Sequence, residues 1–254
     1  MLRPHDQGRT PASDRALAAS LAGIAGAANA IALRDAGVFS ANVTGNVSWI
    51  ADRLASGQWR SATFFLGVVL AFIAGAFACA MATALGSRRH VHGIHARCLW
   101  AEAVLLAALA LACWRAPMER QLFALSFGLS FVMGAQNALA TTLSDARVRA
   151  THLSGICTDL GIELSDWLDP TIRATPHRGS RARHERLLLR VVTVASFCGG
   201  GVLGAVAFTV AGTWALLLAA AGAAATAAWG TLRPSRFPSD GGPDADQDAI
   251  RAAG

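Results

Sequence analysis

The sequence predicts an all-α, polytopic membrane helix bundle of about six spans, with two further polar helices that half-insert or lie at the interface. Three observations carry this. Only 15% of the 254 residues are charged, 54% are hydrophobic and the mean hydropathy is +0.42, whereas a soluble domain carries about a quarter charged residues. Five uncharged stretches run at 16–33, 61–87, 104–114, 121–144 and 191–232. The chain also repeats a polar motif in its two halves.

The elements follow in order. A tail at 1–15 carries Arg3, Arg9 and Arg15 ahead of the first span. Ala28-Asn29-Ala30 imitates a signal-peptidase site, but it belongs to the repeated motif, so no cleavage is expected. Residues 36–51 have no charge yet contain Ser40, Asn42, Thr44, Asn46 and Ser48, too polar for free contact with hydrocarbon. The stretch at 104–114 is short for a span and extends back through Cys98 and Trp100, with Glu102 snorkelling toward the headgroups. The stretch at 191–232 is too long for one crossing, and Gly212 and Trp214 near its middle predict a helical hairpin. Residues 16–232 thus form one transmembrane domain with halves at about 16–116 and 120–232, and the Pro- and Asp-containing tail at 233–254 is expected to be disordered.

The charges orient the chain. All 22 cations are Arg, and they cluster at 88–97 and 145–190, which share a side with both termini if 36–51 does not fully cross. The positive-inside rule then places both termini in the cytoplasm. Eight full crossings would put Arg88, Arg89 and Arg97 outside, a weaker arrangement.

Gly26-Ala27-Ala28-Asn29-Ala30 returns as Gly134-Ala135-Gln136-Asn137-Ala138, and Asn42-Val43-Thr44-Gly45 returns as His152-Leu153-Ser154-Gly155. Three spans per half is an odd number, so the halves would enter the membrane from opposite sides, as in inverted-repeat transporters.

These motifs, with Phe39-Ser40-Ala41-Asn42-Val43-Thr44-Gly45-Asn46 between them, resemble the YoaK-type family of uncharacterised bacterial multi-pass membrane proteins, a domain-of-unknown-function family. The resemblance covers about 16–232 and implies a multi-pass protein of the bacterial inner membrane with no assigned activity. One departure is Asn29, where the family usually carries Asp.

Several function classes are excluded. The arginines have no aromatic residues interleaved to stack bases, so no nucleic acid is expected. Cys79, Cys98, Cys113, Cys157 and Cys198 lack CxxC spacing, which indicates neither zinc nor disulfides. No GxSxG, HExxH, Walker A or dinucleotide fingerprint occurs, so no enzyme, cofactor or metal is expected. The expected partners are the lipid bilayer and a small solute or ion; homo-oligomerisation stays open.

The candidate substrate-binding residues are Asn29, Asn42, Thr44, Asn46, Asn137, Ser154 and Asp159. As a polar lining between the halves they would make a small-solute or ion transporter, Thr44-Gly45 and Ser154-Gly155 breaking helix geometry so that backbone groups reach the ligand. The alternative is a non-transporting scaffold or lipid-binding protein in which the same groups pin helices together. Asp159, Glu163 and Asp166 share one face of an amphipathic helix at 152–168, either in the membrane or wet at its surface. Gly200 and Gly204, four apart, would let two helix backbones approach closely.

Overall fold

The computed structural model describes residues 10–144, 151–168 and 180–232; the tail expected beyond 232 and the start of the arginine-rich run near 173 fall outside them. The described residues form helices α1 (Pro11–Ala36), α2 (Val43–Ala55), α3 (Trp59–Arg88), α4 (Ile94–Trp114), α5 (Met118–Ser144), α6 (Leu153–Leu168), α7 (Ser180–Ala211) and α8 (Leu216–Leu232). Five helical stretches are long and apolar enough to cross a membrane, the last of them His184–Thr231.

Local chemistry sets the boundaries. α1 starts one turn before the apolar stretch because Thr10 and Ser13 form a reciprocal capping box with Pro11 at the first position, a pre-organised start. Gly37 ends it in the left-handed region at φ 65°, its N–H donating to the Leu33 carbonyl, a conformation open to glycine at little cost. The run of 48 residues from His184 to Thr231 is broken at a 3₁₀ turn, Gly212–Ala215, where Gly212 takes φ 56°. The expected break at Gly212 and Trp214 is therefore present.

α1 and α5 occupy the centre. Leu17, Ala18, Leu21, Ala22, Ala25, Ala28, Ile31 and Ala32 of α1 have no exposed surface, and neither do Leu125, Leu129, Met133 and Leu143 of α5. By contrast Leu66, Leu70, Ile73, Phe77, Met81 and Leu85 of α3 lie 42% or more exposed. Their spacing of three or four residues makes one stripe along the helix, an apolar belt suited to lipid and far larger than a soluble monomer presents.

The most extensive contacts join α1 to α7 and α3 to α5, and glycine controls both. A Cβ on Gly26 would collide with the Phe197 carbonyl and one on Gly200 with the Gly23 carbonyl. In the other pair a Cβ on Gly134 would collide with the Phe72 carbonyl and one on Gly75 with the Phe131 carbonyl. Gly23, Gly26 and Ala27 meet α7 near Ser196, Phe197 and Gly204, so α1 and α7 run in the same direction. Gly67 and Gly75 meet Phe127 and Phe131, so α3 and α5 do as well. At another level of the bundle α1 ends where α5 begins: Gln121 Nε2 donates to Asp35 Oδ1 at 2.9 Å. Trp114, closing α4, packs on Trp214 at the turn into α8, ring centres 5.2 Å apart, so α4 and α8 are antiparallel.

Gly26→Ala, Gly75→Ala, Gly134→Ala and Gly200→Ala are each expected to cost about 1–3 kcal/mol or more through forced helix separation. Gly199 faces open space, and Gly199→Ala should be neutral or gain up to about 1 kcal/mol from helix propensity. Thermal unfolding of the purified variants in detergent, followed by tryptophan fluorescence, reads the difference.

Candidate functional site

Between α1 and α2 the chain turns back into the bundle. Val38, Ser40 and Ala41 are buried, and the Ala41 N–H donates to Asn29 Oδ1 at 3.0 Å. Asn29 lies seven residues before the end of α1, so this bond draws the connection about 10 Å down the helix at 1.5 Å per residue. Asn46 holds the same segment from the other side: its Nδ2 donates to the Phe39 carbonyl at 2.7 Å and its Oδ1 accepts from the Phe39 N–H at 3.4 Å. Two asparagines thereby satisfy backbone groups that would otherwise be stranded in an apolar environment, each worth a few kcal/mol.

The second half uses an equivalent bond. Asn137 stands seven residues before the end of α5, and its Oδ1 accepts from Thr151 Oγ1 at 2.8 Å. Thr151 follows Ala41 by the same 110 residues that separate Ser154 from Thr44. Asn29 and Asn137 are thus helix-borne acceptors that each clamp the segment leading to the next short helix. α2 and α6, of 13 and 16 residues, reach about 20 and 24 Å against a hydrocarbon core of about 30 Å.

The remaining expected residues lie apart from these clamps. Asn42 is exposed and caps α2, accepting from the Gly45 N–H at 3.3 Å; Thr44 and Ser154 are exposed in the first turns of α2 and α6. Thr44-Gly45 and Ser154-Gly155 do not break a helix: the departure from helix geometry precedes Thr44-Gly45, at 37–42, because Gly37 supplies the turn and Asn42 the cap. Asp159 is half exposed and pairs with Arg190 at 3.0 Å; Arg190 also pairs with Glu163, and Arg186 approaches Glu163 at 3.6 Å. The side chain of Asp166 lies outside the described residues. In the first half Trp49 of α2 stacks on Phe65 of α3 at 5.9 Å, and these two residues precede Asp159 and Arg190 by 110 and 125 positions. The short helix is fastened to the following long helix by rings in one half and by ions in the other.

The interior also holds polar groups that sequence reasoning missed. Glu102 does not snorkel. It is 4% exposed and accepts from Gln136 Nε2 at 2.9 Å. The reason lies in the helix boundary: α4 starts at Ile94, with His95 and Arg97 in its first turn, which carries Glu102 two turns inside. Ser126, Ser130 and Asn137 recur at spacings of four and seven along α5, so they share a face. Ser126 Oγ, Ser130 Oγ and Asn137 Nδ2 are buried and find no hydrogen-bond partner among the described residues. That face points away from Phe127 and Phe131, which meet α3, and from Gly128, which meets Leu109 of α4; α1 is the third long helix packed on α5.

Asn29→Leu and Asn137→Leu should each cost about 1–3 kcal/mol by stranding a buried donor, whereas Asn29→Asp, which keeps the acceptor for Ala41, should lose less. Limited proteolysis of α2 in detergent, together with thermal unfolding, distinguishes the three.

No curated protein and no solved structure matches the chain. A family described as protein of unknown function (DUF1275) matches residues 17–229, every described helix from the first turns of α1 almost to the end of α8. A helical chain with several membrane-length apolar helices, matched over that length, belongs to the DUF1275 family.

Proposed function

We propose that the chain transports a small solute or ion across the bacterial inner membrane by exchange between two inverted repeats, 16–116 and 120–232, with six spans and both termini cytoplasmic. The observation that carries this reading is the row Ser126 Oγ, Ser130 Oγ and Asn137 Nδ2: buried polar atoms with no hydrogen-bond partner among the described residues, on the central helix α5, where an unmet group is costly and a bound solute would meet it. Asn29 and Asn137 flank the site, while Asn42, Thr44, Asn46, Ser154 and Asp159 belong to the segments that would move about it.

Support for the repeats comes from the doubled contacts. Gly26 on Phe197 and Gly134 on Phe72 are one crossing made twice, with the partners related by 108 residues on α1 and α5 and by 125 on α3 and α7. The Asp35–Gln121 bond places the end of α1 beside the start of α5. That fits opposed first helices in the two halves, as six spans with non-crossing α2 and α6 require and eight spans would forbid.

The scaffold reading draws on one observation of its own: the acceptor oxygens of Asn29 and Asn137 are already engaged by the protein. The two readings part on the double variant Ser126→Ala/Ser130→Ala, which removes hydroxyls that have no hydrogen-bond partner among the described residues and should leave the thermal midpoint within a few degrees. Purified protein in liposomes, screened by solid-supported-membrane currents and radiolabel uptake with a panel of inorganic ions, amino acids and sugars, is expected to show a flux above empty vesicles. The double variant should reduce it at least tenfold. No flux from any member of the panel, or a flux indifferent to the double variant, removes the site from this face of α5.

For the topology, reporter fusions at Ser56 and Gly212 should report one side of the membrane and a fusion at His92 the other. A shared side for Ser56 and His92 would overturn the six-span arrangement.

A further inference from the structure

Inside the bundle, Glu102 of α4 faces Gln136 of α5, 4% and 1% exposed, with the amide Nε2 donating to Oε1 of the carboxyl at 2.9 Å. The other half of the amide is unspent. Gln136 Oε1 is buried and finds no donor among the described residues. A carboxyl and a primary amide set side by side can share two hydrogen bonds, but the second needs a hydrogen on the carboxyl oxygen. One proton on Glu102 would supply the donor that Gln136 Oε1 lacks and would remove a charge from the apolar interior at the same time.

Building on the transport reading above, we propose that Glu102 is the site at which a coupling proton binds and leaves, with Gln136 holding the protonated form. The step is a plain transfer: the Glu102 carboxylate takes a proton from hydronium, water departs, and the new O–H donates to Gln136 Oε1; release reverses it. The donor set fits a proton better than a metal cation, because one carboxylate and one amide oxygen fall short of the six or more oxygens that hard cations gather.

The surroundings are otherwise nearly free of charge. The elements packed on α4 are α3, α5, α8 and the turn before α8. From α3, Cys79 lies close to Cys98, which sits one turn before Glu102 on α4 itself. α8 and the turn carry no ionisable side chain, and the charged residues of α5, Glu119 and Arg120, stand at its far end. Glu102 lies eight residues into α4, about 12 Å from its start, below the connection that carries His90 and His92. Gln136 adjoins Asn137, the last member of the polar row of α5, in the chain.

Two measurements on the full chain in liposomes test this. Infrared difference spectra between neutral and alkaline pH should show the carbonyl stretch of a protonated carboxylic acid near neutrality, lost on alkalinisation and missing from Glu102→Gln. The second is dye-reported proton uptake into the vesicles driven by a pH gradient, expected in the wild type and reduced at least tenfold in Glu102→Gln. That variant keeps the two-bond pairing with Gln136 and should unfold within a few degrees of the wild type; if it does not, Glu102→Asp, which retains an ionisable group, replaces it and should shift the pH midpoint of the band. A band that survives Glu102→Gln, is absent at neutral pH, or persists unchanged up to unfolding overturns the proton site. Flux of a solute without the band leaves the transport reading standing and sinks this one; the titrating band without proton uptake also overturns coupling through Glu102, and the transport reading is then decided by the solute panel alone.

Discussion

The bundle depends on glycines that let helix backbones touch. Lipid offers no hydrophobic gain for bringing apolar helices together, so association relies on close packing and on hydrogen bonds between helices. Gly26 and Gly200 join α1 to α7, and Gly75 and Gly134 join α3 to α5, each at a separation that admits no Cβ. Around these two seams the remaining helices find their places: α4 lies against α5 and α8, and α1 meets α5 at the centre. Every polar feature of interest is positioned by them, since Asn29 and Asn137 each stand three residues beyond a seam glycine and Gln136 stands two beyond Gly134.

Much of this was legible in the residues because lipid imposes simple rules. Length and lack of charge picked out the long helices, and small residues four apart marked the face of α7 that α1 covers. The repeated Gly-x-x-Asn pointed to α1 and α5 at equivalent places, although not to its meaning: the glycine makes the seam and the asparagine clamps the connection that follows. What escaped was whatever depended on partners remote in the chain. Glu102 looked peripheral because the span seemed to begin near Cys98, whereas the helix begins at Ile94 and carries the carboxyl inward to an amide 34 positions away. The partners of Asp159 and Glu163 were likewise out of reach, since Arg190 lies more than two dozen positions downstream of both. The bend expected at Thr44-Gly45 falls at 37–42 because a left-handed glycine and an asparagine cap outrank a hydroxyl-glycine pair in setting where a helix starts.

Polar groups in the interior fall into two kinds. Asn29, Asn46 and the oxygen of Asn137 are consumed in holding backbone and side chains; the hydroxyls of Ser126 and Ser130 and one atom each of Gln136 and Asn137 are not. The first kind explains how a non-helical segment survives deep in the bundle. The second is polar capacity without a partner among the described residues; apart from the buried Ser40 hydroxyl in the connection after α1, the uncharged atoms of this kind sit on α5, the helix that touches α1, α3 and α4.

The unlike fastenings of α2 and α6 give the two halves different sensitivities. Stacked rings such as Trp49 and Phe65 hold through dispersion and respond to the order of surrounding acyl chains, while Arg190 with Asp159 and Glu163 is a charge cluster open to screening by dissolved electrolyte. A rise in ionic strength would therefore weaken the hold on α6 and leave the stacked rings of α2 unchanged.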